Sequence, residues 1–191
     1  MQARIAAIAA MLWAGTAYAA EEHSHAAPER LGTVKFQTSC SAQVEATFDK
    51  AVALLHSFAY EPAERTFREI AQAEPRCAMA HWGIAMSRYH PLWAAPSEDD
   101  LQEGMAAVEA GRQLTTTPRE KMFIDAAAMF YRGAESRAHA ERARAYEQAM
   151  AAVAARYPKD AEAQIFYALA LLSTASPADR THTQQKRAAQ I

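Results

Sequence analysis

From Ser41 onward, apolar residues recur at steps of three and four with polar residues between them, the pattern of helices that each bury one face. The spacing predicts eight helical segments paired into four hairpins. The first helices of the pairs cover 42–60, 78–89, 118–131 and 160–174; their partners cover 62–74, 98–114, 136–156 and 178–191. Several boundaries have a local chemical cause. Ser97-x-x-Asp100 and Thr117-Pro118-Arg119-Glu120 are capping-box starts, the second with proline at the first helical position. Pro62 suits a first helical turn, where its missing N–H would have had no partner, and Pro75 cannot continue the helix before it. Gly133 reads as a stop, and Pro158 and Pro177 end or precede helices.

Aligned on one another, the first helices repeat. Ala51, Ala85, Ala126 and Ala168 form one column, spaced by 34, 41 and 42 residues. Three positions earlier stand Phe48, Trp82, Phe123 and Ile165; one later, Val52, Met86, Ala127 and Leu169; four later, Leu55, Tyr89, Phe130 and Leu172. Bulky, small, apolar and bulky at i, i+3, i+4 and i+7 is one continuous helix face. Small residues let neighbouring helices approach, and the large ones fill the gaps. This is a repeat array, with an aromatic insert, Tyr89-His90-Pro91-Leu92-Trp93, lengthening its second unit.

Ala63-x3-Phe67, with Pro75 eight residues on, matches the second half of the tetratricopeptide (TPR) pattern. The stretches LLHSFAYEPAERTF (54–67), CAMAHWGIAMSRYHPLW (77–93) and IFYALALLS (165–173) resemble a group of exported bacterial TPR proteins, mostly of unassigned function. The resemblance implies an all-α, right-handed TPR-like solenoid of about four hairpins and a protein-interaction role. It carries no catalytic residues over. Two departures stand out: only the first spacing equals 34 residues, and the aromatic and Leu-Gly positions are partly kept. Members of the group are longer, and this chain stops inside its last predicted helix, so a fragment of a longer product is expected. An uncapped last hairpin leaves apolar surface open to self-association.

Composition agrees with an all-helical reading: half of the residues are hydrophobic, many of them alanine, and only 6 are glycine. The formal net charge of −2 and the lack of a basic run argue against nucleic-acid binding. Arg4, the apolar stretch Ile5–Ala14 and Ala17-Tyr18-Ala19 form a signal-peptide pattern, with cleavage expected after Ala19. The alternative, a membrane anchor, falls short of the ~20 apolar residues that a span needs. The domain plan is therefore a cleaved signal over 1–19, a flexible or extended lead-in over 20–40, and a helical repeat domain over 41–191. Export makes the product periplasmic or secreted and its two cysteines free to pair. Cys40 and Cys77 open neighbouring elements, and their bridge would contribute about 3–4 kcal/mol on the chain-entropy model. Two separate buried thiols are the alternative reading.

Candidate contact residues lie near the aligned columns: His56, Tyr89, His90, Trp93 and Tyr131. His56 and His90 share one repeat position, so two imidazoles on stacked helices are placed to turn toward a common metal or anion. Two histidines make an incomplete metal site, and no His-x3-His or His-Glu-x-x-His spacing supports them. His23-Ser24-His25 reads as solvated tail. Tyr89, His90, Leu92 and Trp93 either anchor a partner or fold back over the end of the stack. His81 packs on a neighbouring helix or faces solvent, and His139 and His182 read as surface. Arg137, Arg142, Arg144 and Arg156 with Glu135, Glu141 and Glu147 read as a salt-bridged solvent face, and Glu98-Asp99-Asp100 as a helix start favoured by the dipole. No nucleophile elbow, P-loop, dinucleotide fingerprint or zincin motif is present. The expectation is a non-catalytic, cofactor-free scaffold that binds a protein or peptide on its first helices. The alternatives are a periplasmic metal-binding protein using His56 and His90, and the N-terminal scaffold of a longer enzyme.

Overall fold

The computed structural model describes residues 30–191, all helix and loop with no strand among them. The helices are α1 (Ala42–His56), α2 (Tyr60–Ala73), α3 (Ala78–Tyr89), α4 (Glu98–Arg112), α5 (Pro118–Tyr131), α6 (His139–Arg156), α7 (Ala161–Ser173) and α8 (Thr183–Ala188). Each packs on the next, and α3 also approaches α1 and α5. The signal-peptide pattern and His23-Ser24-His25 lie outside the described residues. Among the described residues, no helix is long and apolar enough to cross a membrane.

Both capping boxes form. Ser97 Oγ accepts from the Asp100 N–H and Thr117 Oγ1 from the Glu120 N–H, while each carboxylate reaches back to the backbone N–H of its cap. Several boundaries differ from the spacing-based expectation, and three of them have a local cause. The first helix stops at His56 instead of near Tyr60, because Phe58 takes a left-handed backbone (φ 56°) and reverses the chain. The N–H groups of Ala59 and Phe58 then bond back to the carbonyls of Leu54 and Leu55, the paired bonds of a Schellman stop. The helix expected from 136 begins at His139, since Gly133 (φ 71°) accepts the N–H groups of Ser136 and Arg137 in a turn. The last helix starts only at Thr183. Asp179 accepts the backbone N–H groups of Thr181 and Thr183 first, which holds that stretch as a turn.

In the first three first-helices the aligned columns form the core: Phe48, Trp82, Phe123, the alanines 51, 85 and 126, and Leu55, Tyr89 and Phe130 are all buried. The fourth column needs correction. Ile165 is 44% exposed and Leu172 36%, whereas Ala163, Phe166, Tyr167, Ala170 and Leu171 are buried. The buried residues 163, 166, 167 and 170 keep the expected spacing but are displaced by two residues, about 200°, so helix α7 buries nearly the opposite face from the one expected. No close backbone approach joins α5 to α7 among the described elements. Instead α7 sends Phe166 onto Trp82 (ring centroids 5.1 Å apart) and Phe123 (6.3 Å).

The lead-in, expected to be flexible or extended, is extended and packed from Leu31 to Ser41. Val34 and Leu31 lean on the core and Phe36 is buried among Phe48, Trp82, Phe123 and Phe166, at centroid distances of 5.5, 5.1, 5.3 and 6.4 Å. Cys40 is bonded to Cys77. The reading of two separate thiols is thereby excluded, and a bond of this kind persists in oxidising surroundings.

Two glycines set the spacing of helix pairs. A Cβ at Gly83 on α3 would overlap the Phe67 ring of α2, and one at Gly104 on α4 would overlap the Tyr131 ring of α5. Both rings are fully enclosed, so neither can swing away. Gly83→Ala is expected to destabilise the protein by about 1–3 kcal/mol, since overpacking a closed contact forces the helices apart. Equilibrium urea unfolding checks this; an unchanged midpoint would mean the α2–α3 contact is slack.

Candidate functional site: an exposed aromatic corner

The corner between α1 and α2 and the loop between α3 and α4 lie side by side, and each turns through a non-glycine residue with positive φ. These are Phe58 and His90 (φ 49°). A left-handed residue with a Cβ costs about 1–2 kcal/mol, and glycine is the usual solution. At Phe58 the chain bears that cost and sets an aromatic ring at the surface. His90 ends α3, and its carbonyl accepts the Trp93 N–H at 3.0 Å, closing the turn that carries Leu92 and Trp93 outward.

The rings meet across the two corners. Phe58 packs edge-on against Trp93 at 5.9 Å and lies 6.3 Å from Tyr60, and Tyr60 stacks on His90 at 4.4 Å. Trp93 remains 63% exposed, Leu92 38% and Phe58 37%. The floor beneath is polar and braced. Arg88 bonds Asp100 on α4 at 2.9 Å, and Glu64 on α2 and Glu103 on α4 at 2.8 Å each. Such a floor holds α2, α3 and α4 together under the rings. Burial pushes the Tyr60 hydroxyl far above the ordinary phenol range, over the opposing pull of the Trp93 side chain. Burial also holds the His90 imidazole below its ordinary value, over the opposing pull of Asp100.

The expected contact residues part company. His90 and Trp93 belong to this corner. His56 does not join His90: its Nε2 lies 2.8 Å from Glu162 Oε2 and its ring 5.1 Å from Phe166, so it ties α1 to α7. Tyr89 and Tyr131 are core residues with no surface to offer. Tyr89 stacks on Phe130 at 3.8 Å with its hydroxyl 3.5 Å from Ser173 Oγ, and the Tyr131 hydroxyl donates to the Ala85 carbonyl at 2.5 Å. Among the described residues no group of three or more His, Cys, Asp or Glu side chains could hold a metal ion.

Two surface expectations also change. Arg142, read as part of a solvent face, is buried over the Phe130 ring and donates to the Phe130 carbonyl. His139 packs on the same ring, its Nδ1 buried without a partner among the described residues. Phe58 escaped the sequence reading because the apolar periodicity runs straight through it, with no glycine to mark the stop. No family model, curated protein or solved structure matches this chain.

The pH dependence of stability follows from His90. Its folded pKa is depressed, so the unfolded chain takes up the proton first. The contribution of neutral His90 is complete above the unfolded value of about 6.5 and is lost as pH falls from there to the folded value. Burial shifts His81 and His139 in the same direction, so the whole protein weakens over this interval. His90→Asn keeps a residue tolerant of the left-handed turn but removes the titration. Its loss of stability between pH 7.5 and 5 is expected to be shallower than that of the parent chain, measured by urea unfolding at each pH. Parallel curves would show that His90 titrates alike in both states.

Proposed function

We propose that this chain is an exported, non-catalytic scaffold with a TPR-like solenoid architecture, right-handed as in that superfamily, which binds a protein or peptide partner. The observation that carries the reading is the exposed aromatic corner of Phe58, Leu92 and Trp93. Exposed tryptophan braced by neighbouring rings is the kind of group that dominates protein interfaces, because it brings large apolar area with little side-chain entropy to lose. The left-handed backbone of Phe58 adds to the case, since strain of this kind collects where a side chain is held for use. Support for the architecture comes from the packing of each helix on the next and from the approach of α3 to both α1 and α5. Export is supported by the signal-peptide pattern at 1–19 and by the Cys40–Cys77 bond; a periplasmic or secreted location follows from them.

The test uses the disulfide-bonded protein as bait in an envelope extract of the source cells, with partners identified by mass spectrometry. Trp93→Ala is expected to weaken capture of a specific partner by roughly tenfold or more, the cost of removing an interface anchor. Thermal stability should be nearly unchanged, as the ring is largely in solvent. Equal capture by both proteins would remove the corner from the interface.

A further inference from the structure

The inner faces of α1, α3 and α5 are the surfaces on which a helical array of this kind would be expected to seat an extended ligand, and they are already covered. Residues 34–41 of the same chain lie along their N-terminal halves, and the manner of their seating is that of a bound peptide. Exposure alternates along the segment: Val34, Phe36, Thr38 and Cys40 are buried or half-buried while Lys35, Gln37 and Ser39 are exposed. One side chain, Phe36, is the anchor, enclosed by Phe48, Trp82, Phe123 and Phe166. The Arg119 guanidinium covers it, 4.6 Å from the Phe36 ring and 4.7 Å from Phe123.

The backbone of the segment is held by side chains of the helices and by no strand. The Phe36 N–H donates to Asp49 Oδ1 at 2.8 Å, and the Gln37 carbonyl accepts from Arg119 Nη1 at 2.8 Å. Glu120 accepts both the N–H and the hydroxyl of Ser39, at 2.5 and 2.8 Å. Ser41 meets Glu74 through its N–H and its hydroxyl. Main-chain bonds for affinity with a pocket for one alternate side chain is a recurring mode of peptide recognition. The fit is incomplete at one point: Trp82 Nε1, beside the anchor, is buried with no acceptor among the described residues. A different segment with an acceptor at that depth would fill a bond that this one leaves open.

We propose that residues 34–41 are a displaceable internal ligand, and that the groove beneath them binds an extended protein segment carrying an aromatic side chain once the Cys40–Cys77 bond is reduced. The aromatic ring of the incoming segment takes the place of Phe36. The carbonyl of the residue after the aromatic one meets Arg119, and a hydroxyl or amide two residues further on meets Glu120. The disulfide fixes the C-terminal end of the internal ligand to the start of α3, which keeps the segment in register over the groove. The reductant is a dithiol, either a small molecule or a dithiol oxidoreductase. Its thiolate attacks Sγ of Cys40, which is the less buried of the two cysteines, and the S–S bond breaks. Cys77 leaves as a thiolate and takes a proton. The second thiol of the reductant then displaces Cys40, and two electrons have passed from dithiol to disulfide. The proposal uses a different surface from the aromatic corner, so Trp93→Ala leaves it untouched.

The experiment is fluorescence anisotropy with a labelled synthetic peptide, RLGTVKFQTSSS, which copies residues 30–41 with serine in place of cysteine. It is titrated with the oxidised full chain and with a full-length Phe36→Ala/Cys40→Ser/Cys77→Ser variant, whose fold is checked by circular dichroism. Saturable binding to the variant is expected, at least tenfold weaker for a peptide whose phenylalanine is alanine and a hundredfold weaker for the oxidised parent. Failure of the folded variant to bind, or equal binding of the alanine peptide, overturns the proposal. Should the variant not fold, hydrogen exchange on the parent chain decides. With a dithiol added, amides 34–41 are expected to lose protection while α1 to α7 keep theirs; loss of protection throughout, or nowhere, overturns it.

Discussion

The structure depends on one buried ring. Phe36 touches aromatic residues from α1, α3, α5 and α7 at once, and its neighbours Trp82 and Phe166 extend the same ring contacts to Phe67 and His56. Burying a phenylalanine is worth about 1.5–3 kcal/mol in area alone, and edge-on ring pairs add to it. Its position also decides what stands around it. Arg119 is held over the ring by its bond to Gln37 and its ion pair with Asp160 at the start of α7. Glu120 is buried because Ser39 and the cap of Thr117 both need its oxygens. One carboxylate thereby serves as helix cap and as clamp on the lead-in.

A division of labour follows between the two faces of the molecule. Inside, side chains from well-separated stretches converge, and the buried polar groups have specific partners: Glu120 the lead-in, Arg142 the Phe130 carbonyl and Glu162 His56. At the outer corner the arrangement is reversed: the polar groups form the floor, in the Arg88 network, and the apolar rings face water. A solvent-facing cluster built on a rigid charged base is held ready without the cost of ordering it on contact.

How much of this could be read from the residues depends on how local each cause is. Ser97-x-x-Asp100 and Thr117-x-x-Glu120 act within one turn, and both helix starts were legible to the residue. The burial of Phe48, Trp82 and Phe123 was legible from periodicity, and the pairing of Cys40 with Cys77 from their place at the start of neighbouring elements. Phe58 was not legible, because a left-handed turn without glycine leaves no local mark. The face of α7 was misread because Ile165, Leu169 and Leu172 on one side and Phe166, Tyr167 and Leu171 on the other are all bulky, and only the tertiary position of Trp82 chooses between them. For Tyr89 and Tyr131 the pattern gave the right helix face. That face points into the core, so the same periodicity that located them argued against contact with a partner. Phe36 stands in a polar stretch too short to show a period, and its partners lie up to 130 residues away.

The long reach of that lead-in alters how the molecule comes apart. An array in which each helix meets only its neighbours loses order piece by piece, from whichever end is weakest. Here Ser39 is bonded to Glu120 across 81 residues, and His56 to Glu162 across 106. These links join the lead-in and α1 to α5 and α7, so α7 cannot fray without uncovering the ring at the centre. A stack that would otherwise behave as a string of semi-independent units is bound into a single cooperative one. The same links must be closed during folding, at an entropy cost set by their separation along the chain, so α1 to α4 wait for α5 and α7 before the interior is sealed.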